Sequence, residues 1–304
     1  MSFSTASSIL RGKWLIEPAY AMAQLPIIAQ LLQGKITNQQ FYAKSGYAGS
    51  SPESRLPKRM YTLSSQSNLF AVSPWTSEQR IPYNSIAMVD VIGPVLKYGD
   101  YCMYGSVDYN DMMIRLANTD RVKGIIMNID GPGGEASGTA QFAQTIREVS
   151  KVKPVLGIIQ DGMAASASYW IASAVQELYV TQATDCVGSI GAYTTLYDLR
   201  GYFEEMGIKV LEIYAPQSVD KNKDYKDALE GDDTLIKSDL KFLVDDFIKA
   251  VKTNRGARLN TSTENPFTGK MYNAADAKKV GLIDGIKSMA DVVKRTEQLM
   301  ALRA

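Results

Sequence analysis

Glycine- and serine-rich turns, each following an apolar stretch, hold the residues that could do chemistry in this chain. The first is NIDGPGG, residues 128–134, in which Gly133 and Gly134 follow an apolar run. Glycines at a strand end let backbone N–H groups face a ligand without a Cβ in the way, and the dipole of a following helix adds positive character. The turn suits an oxyanion or a phosphate. A plain strand-to-helix turn would have the same composition.

The second turn, GMAASASYW at residues 162–170, places Ser166 where a helix is expected to begin. A helix N-terminus favours an alkoxide, and the next N–H could point at a developing oxyanion. The alternative is that Ser166 only caps the helix, a role that serine often fills. Ser168 lies on the same turn and is a rival nucleophile.

A third turn, VGSIG at residues 187–191, contains Ser189, and a polar segment further on contains Lys221 and Lys223. A lysine flanked by Asp220 and Asp224 is ordinarily a solvated surface charge. Lys221 becomes a candidate for catalysis only because the other motifs precede it in the same chain.

Composition removes several classes of site and partner. The 304 residues include no histidine, which excludes Ser-His-Asp triads, Cys-His dyads and His-ligated zinc. Two cysteines make neither a disulfide framework nor a Cys-only zinc site, so we expect no metal and no cofactor. With 33 Lys and Arg against 32 Asp and Glu, the net charge of +1 gives no general attraction to nucleic acid or anionic lipid. No apolar run is long enough for a stable membrane anchor, which favours the cytoplasm.

The elements that would position these turns alternate strand with helix after residue 84, which predicts a layered α/β domain over residues 85–304. Residues 1–45 are expected to form a helical N-terminal extension, and residues 46–84 a linker or flap with a strand or hairpin at 61–72. Helices are expected around Phe142, Ile146 and Val149 and over 232–255. The expected strands are 86–95, 124–129, 154–160, 178–181, 190–196, 210–214 and 282–283.

The order of the motifs resembles a known family. NIDGPGG, GMAASASYW, VGSIG, a lysine beyond the next strand, and GKMYNAADAKKVGLIDGI near the C-terminus follow the order found in the Ser-Lys peptidases. That family includes bacterial signal peptide peptidase A and the prohead proteases of tailed bacteriophages. The resemblance spans about residues 85–290, and it implies the Clp-protease and crotonase fold of repeated ββα units.

The resemblance implies a role for each motif residue. Ser166 would be the nucleophile, and Lys221 the general base, with Lys223 as the alternative. Ser189 matches a serine that orients the lysine amine. The oxyanion hole would consist of the N–H groups of Gly133, Gly134 and Ala167. The chemistry is consistent with a chain that has no histidine, since a lysine amine made neutral by burial can activate a serine hydroxyl.

Several functions fit this chemistry. The segment GKWLIEPAYAMAQLPIIAQLLQG, residues 12–34, looks like the leader of phage relatives, which favours a head maturation protease that cuts capsid, scaffold or portal proteins in the host cytoplasm or procapsid. A signal peptide peptidase acting on membrane-derived peptides is the second candidate. A crotonase-type acyl-coenzyme A enzyme with Glu135 as base and a non-catalytic shell component are the remaining candidates.

In single-domain members of the family, the serine and lysine of one site can come from adjacent subunits, so a homo-oligomer is expected. Residues 1–84 could be a lid, a docking arm or a segment removed by self-cleavage.

Overall fold

A twisted seven-stranded sheet forms the centre of the computed structural model, which describes residues 14–16, 60–61, 67–99, 103–198 and 200–303. Its outermost pair, β2 with β3, is antiparallel, and every other neighbouring pair is parallel. In spatial order the strands are β12 (Gly285–Ile286), β9 (Glu177–Val180), β7 (Val155–Ile159), β5 (Val122–Asp130), β4 (Ser85–Ile92), β3 (Asn68–Val72) and β2 (Met60–Tyr61).

The central strands form because their sequences are apolar along nearly their whole length. Parallel strands covered by helices on both faces have such continuous apolar runs. In β5 and β7 the register places Ile125 opposite Val155 and Ile126 opposite Leu156, and all four side chains are buried.

Helices cover both faces of the sheet. The larger buried cluster includes Phe142, Trp170 and Phe247, and the smaller one packs Val292 and Leu299 of the last helix against β5 and β7. The helices are α1 (Ser106–Asn118), α2 (Thr139–Val152), α3 (Ala167–Ser173), α4 (Arg200–Glu205), α5 (Lys223–Leu229), α6 (Thr234–Arg255), α7 (Ala274–Lys279) and α8 (Met289–Ala301), with 3-10 turns at Glu78–Arg80 and Gly256–Arg258. Within the described residues, no helix combines the length and the apolar content that a membrane span requires.

Short strands branch from the carboxyl ends of the long ones. They are β6 (Gly133–Glu135), β8 (Met163–Ala165) and β10 (Cys186–Gly188), joined by β1 (Trp14–Ile16) and β11 (Met271–Asn273). β6 pairs with β1, whereas β10 lies between β8 and β11. The units β5-β6-α2 and β7-β8-α3 each run long strand, short strand, helix. This repetition confirms the ββα fold class expected from the sequence.

Four of the expected strands, at 86–95, 124–129, 154–160 and 178–181, correspond to β4, β5, β7 and β9 with shifted ends. The helices α2 and α6 are also confirmed. The strands expected at 190–196 and 210–214 were wrong, because Ile190 is buried outside any strand and 210–214 lies mostly exposed without forming one. The expected strand at 282–283 is replaced by β12, which begins at Gly285.

The N-terminal boundaries also differ from expectation. A hairpin does form within 60–72, but β3 pairs with β4 along its whole length, so residues assigned to a linker are part of the main sheet. Of the expected helical extension over 1–45, only Trp14–Ile16 belong to the described residues, and they form a strand. The other residues of that extension lie outside the described part of the chain.

Candidate active site

Ser166 lies between β8 and α3 in a backbone conformation that serine rarely adopts. Its φ is +51° and its ψ is −116°, and only 1% of its surface is exposed. A non-glycine residue at positive φ costs about 1–3 kcal/mol, so the surrounding structure must hold it there. The Ser166 amide donates to the Gly188 carbonyl at 2.8 Å, and the hydroxyl donates to the Gly191 carbonyl at 3.4 Å. The result is a buried hydroxyl at the first turn of a helix.

The glycine turn after β5 lies against this serine. Gly133 has a φ of +104°, and a Cβ there would lie 2.9 Å from the Cβ of Ser166 and collide with the Leu15 carbonyl. A Cβ on Gly134 would collide with the backbone of Val95. Both positions therefore require glycine so that backbone can approach backbone closely.

The three N–H groups expected in the oxyanion hole have different surroundings. Ala167 is the first residue of α3, so its N–H has no acceptor within the helix. Gly134 lies opposite Leu15 of β1, and its N–H faces that strand, because Val95 bonds to the neighbouring residues of β6 on the other side. The N–H of Gly133, in contrast, donates to the hydroxyl of Ser168 at 3.2 Å. The oxyanion role expected for Gly133, Gly134 and Ala167 stays a prediction.

Ser168, the rival nucleophile, is as buried as Ser166, and its hydroxyl bonds to the glycine turn. The Ser168 hydroxyl accepts a hydrogen bond from the Gly133 amide, and a Cβ on Gly131 would lie 2.6 Å from that hydroxyl oxygen.

Ser189 lies near Ser166, because the Ser166 amide donates to the carbonyl of Gly188, the residue before Ser189. It follows Gly188 at a φ of +52°, and its amide donates to the Lys270 carbonyl at 2.8 Å.

The two candidate lysines lie on an exposed segment. Lys221 lies in a turn, where its amide donates to the Ser218 carbonyl at 3.2 Å, and Lys223 begins α5. Both side chains are exposed. Within the described residues the Ser166 hydroxyl bonds to the Gly191 carbonyl and not to a lysine. A single copy of the chain thus brings Ser166, Ser168, Ser189 and the glycine turn together, but does not join Lys221 or Lys223 to them.

Another lysine, Lys153, has an amine with a lowered pKa, but this amine caps the end of a helix. Burial, with a smaller contribution from the positive charge of Lys123, lowers the pKa of Lys153 to about 8. Its amine donates to the carbonyls of Leu116 and Thr119, where α1 ends. Lys153 precedes β7, whereas Ser166 follows it, so the two residues lie at opposite ends of the parallel strands. Lys153 is therefore a cap for α1 and not a base for Ser166.

The comparison with known proteins decides the family. The sequence pattern of Peptidase family S49 matches residues 147–303, which is more than half of the chain. The chain belongs to peptidase family S49.

Proteases from an archaeon, a bacterium and a bacteriophage are similar to this S49 chain. A candidate protease of Methanocaldococcus jannaschii is 30% identical over 63% of this chain and 60% of its own length. Protease 4 of Haemophilus influenzae is 25% identical over 72% of this chain and 35% of its own length. The capsid assembly protease C of Escherichia phage lambda is 26% identical over 62% of this chain and 43% of its own length. The chain thus spans between about a third and three fifths of the length of these relatives.

Membership of S49 also bears on Glu135, the residue that a crotonase-type reaction would need as a base. A carboxylate oxygen of Glu135 accepts the Lys97 amide at 3.0 Å, and its carbonyl accepts the Thr139 hydroxyl at 2.8 Å. Both bonds are structural, since they join β6 to the segment after Val95 and to the start of α2. A carboxylate held in this way has a structural role, and S49 is a family of peptidases.

Proposed function

We propose that this chain is a serine endopeptidase with Ser166 as nucleophile and Lys221 as general base. The observation that carries the proposal is the backbone of Ser166, held at positive φ between a short strand and a helix N-terminus, against a turn that accepts only glycine. A strained serine at a strand-to-helix turn presents its hydroxyl beside the backbone N–H groups of the helix start and the glycine turn, which is the arrangement acyl transfer needs.

The reaction would follow from these positions. The Ser166 hydroxyl gives its proton to a neutral lysine amine as its oxygen attacks the carbonyl carbon of a peptide bond. The N–H groups of Gly134 and Ala167 stabilise the oxyanion, each contributing about 3–4 kcal/mol. The lysine then protonates the leaving amine, and water activated by the same lysine hydrolyses the acyl-enzyme. Ser189 would orient the lysine.

A neutral lysine amine needs burial, and this requirement points to a homo-oligomer. Lys221 is exposed among the described residues, and a second copy of the chain would supply the cover that its amine needs. The segment before it is unusually apolar for a surface, and Ile213 is 92% exposed. Its other exposed apolar side chains are those of Ile208, Val210, Leu211 and Val219. We propose that this segment packs on the neighbouring subunit and delivers Lys221 to the neighbour's Ser166.

For the biological role we propose maturation of a phage or prophage head, with capsid, scaffold or portal proteins as substrates. The similarity to the capsid assembly protease of phage lambda and the leader-like segment at residues 12–34 support this role. The similarity to a signal peptide peptidase of Enterococcus faecium favours the second candidate, a signal peptide peptidase-like enzyme that degrades membrane-derived peptides.

Labelling with a fluorophosphonate probe tests the chemistry. We expect mass spectrometry to find the label on Ser166 in the wild-type protein and no label on Ser166→Ala. A label on Ser168, or thioester turnover without labelling, would refute the assignment. Coexpression with capsid, scaffold and portal proteins, followed by mapping of new termini, tests the role, and cuts only in membrane-derived peptides would favour the second candidate.

A further inference from the structure

The strand β1 occupies one side of β6, next to the serine. Trp14–Ile16 pair antiparallel with Gly133–Glu135, and Leu15 lies opposite Gly134. The other side of β6 belongs to Val95, whose amide donates to the Gly133 carbonyl and whose carbonyl accepts the Glu135 amide, both at 2.8 Å. Because the polar groups of successive strand residues point to alternate sides, the amide and carbonyl of Gly134 face Leu15.

The carbonyl of Leu15 therefore lies where a scissile carbonyl would lie. Its oxygen is close enough to Gly133 that a Cβ there would collide with it, and that same Cβ position is 2.9 Å from the Cβ of Ser166. The Leu15 carbonyl is thus beside the nucleophile and turned toward the Gly134 amide. A peptide attacked by Ser166 needs this placement, since the oxyanion must meet an N–H donor as it forms.

The side chain of Leu15 supports the same conclusion. It is completely buried and belongs to the main core cluster, and Ile16 is 7% exposed. A pocket that encloses one leucine in this way would select aliphatic residues at that position of a substrate.

We propose that Trp14–Ile16 is a substrate strand of the chain itself and that Ser166 cleaves the bond between Leu15 and Ile16. The inference depends on the proposed function of Ser166. The Ser166 oxygen bonds to the Leu15 carbonyl carbon, the C–N bond to Ile16 breaks, and the Ile16 nitrogen takes the proton that the hydroxyl gave to the base. Water then releases residues 1–15 and restores Ser166. External substrates bind as the same antiparallel strand, with an aliphatic residue in the place of Leu15.

The experiment follows the mass and N-terminal sequence of the purified full-length protein over time. We expect the wild-type protein to lose residues 1–15 and to begin at Ile16, and Ser166→Ala to remain whole. Leu15→Asp should slow the cut by about tenfold or more, since the pocket is apolar, whereas Leu15→Met should be cut at nearly the wild-type rate. Circular dichroism and thermal melting check that each variant folds.

A synthetic peptide GKWLIEP, the sequence of residues 12–18, separates this inference from the proposed function. We expect cleavage between Leu and Ile, and no cleavage of a matched peptide with Asp in place of Leu. If Ser166 is labelled and casein is hydrolysed while the chain stays whole at Leu15, self-cleavage is wrong and the peptidase function stands. A Leu15→Asp variant that hydrolyses casein faster than an uncut wild type would show that β1 only blocks the site. Loss of labelling and of all hydrolysis would overturn both.

Discussion

The hydroxyl of Ser168 accepts a hydrogen bond from the amide of Gly133 at 3.2 Å, and so joins the first turn of α3 to the start of β6. The same hydroxyl lies against Gly131, which in turn is bridged to Ala164 of β8. The two serines of this helical turn therefore have different partners. The Ser166 hydroxyl donates to the Gly191 carbonyl, whereas the Ser168 hydroxyl holds the first turn of α3 against Gly133.

Replacing the two serines should have unequal effects. We expect Ser166→Ala to reduce peptide hydrolysis by about a million-fold, the loss seen when a catalytic serine is removed. Ser168→Ala should reduce kcat by about tenfold with little change in KM, because it loosens the glycine turn without removing a reacting group. Ser173→Ala is the matched control, since that buried hydroxyl of α3 bonds to the Trp170 carbonyl and to the Asn254 side-chain amide and not to the glycine turn. A Ser168→Ala variant without activity beside an active Ser166→Ala would reverse the assignment.

Substitution of the lysines tests the general base. We expect Lys221→Arg to be inactive at every usable pH, because a guanidinium does not give up its proton. Lys223→Arg should keep most of the wild-type rate, and it is a matched control because both side chains are exposed and lie on the same segment. The rate of the wild type should rise with pH as the amine loses its proton. An inactive Lys223→Arg beside an active Lys221→Arg would move the base to Lys223.

Mixing of inactive subunits tests whether sites are shared. We expect Ser166→Ala and Lys221→Ala to regain activity when they are dissociated, mixed and reassembled, because some interfaces then pair an intact serine with an intact lysine. At equal amounts, about a quarter of the wild-type rate is the upper expectation for random pairing. Mixing Ser166→Ala with a double variant that lacks both residues is the control and should stay inactive. Absence of recovery at every ratio would place each site within one subunit.

The bond between α8 and the sheet should make stability depend on pH. Burial alone would raise the pKa of Glu177, but hydrogen bonds from Arg295 and Tyr179 and the charge of Arg295 outweigh it and lower that pKa. Arg295 donates to both carboxylate oxygens, at 2.6 and 2.9 Å. A carboxylate with a lowered pKa stabilises the fold above its unfolded pKa of about 4.3, and that contribution disappears as the pH falls through the folded value.

We therefore expect Arg295→Gln to lower Tm by about 2–4 °C at pH 7. The difference from the wild type should begin to shrink as the pH falls below the unfolded pKa of about 4.3, and it should disappear once the pH has fallen through the lowered pKa of Glu177 in the folded protein. Lys294→Gln removes the same charge from an exposed neighbouring position and should leave Tm nearly unchanged. A difference that persists at low pH would mean that Arg295 acts through packing and not through Glu177.

The sequence predicts the long elements well because their patterns are strong. β5 and β7 are continuous apolar runs, and α6 has apolar residues at helical spacing, so length and period identify them. The short strands β6, β8 and β10 could not be predicted, since tripeptides such as GGE and MAA have no period. They form only because the neighbouring backbone offers a partner, as Val187 does when it pairs with both Ala164 and Tyr272.

The candidate site shows the same division. The motif order identified Ser166 and the glycine turn, and the structure brings these together. The bond between Ser168 and the Gly133 amide joins residues 35 positions apart and leaves no local pattern in the sequence. The position of β1 could not be predicted either, because GKWLIEP has neither the alternation nor the length of a typical strand.

The positive φ of Ser166 also restricts which amino acids could ever take over at that position. A β-branched side chain is a genuine outlier at positive φ, so threonine is disfavoured there by its shape although its hydroxyl is a competent nucleophile. Cysteine carries a nucleophilic atom on an unbranched Cβ, so it would meet the same backbone cost as serine without the added crowding. The backbone at position 166 should therefore accept a cysteine more readily than a threonine.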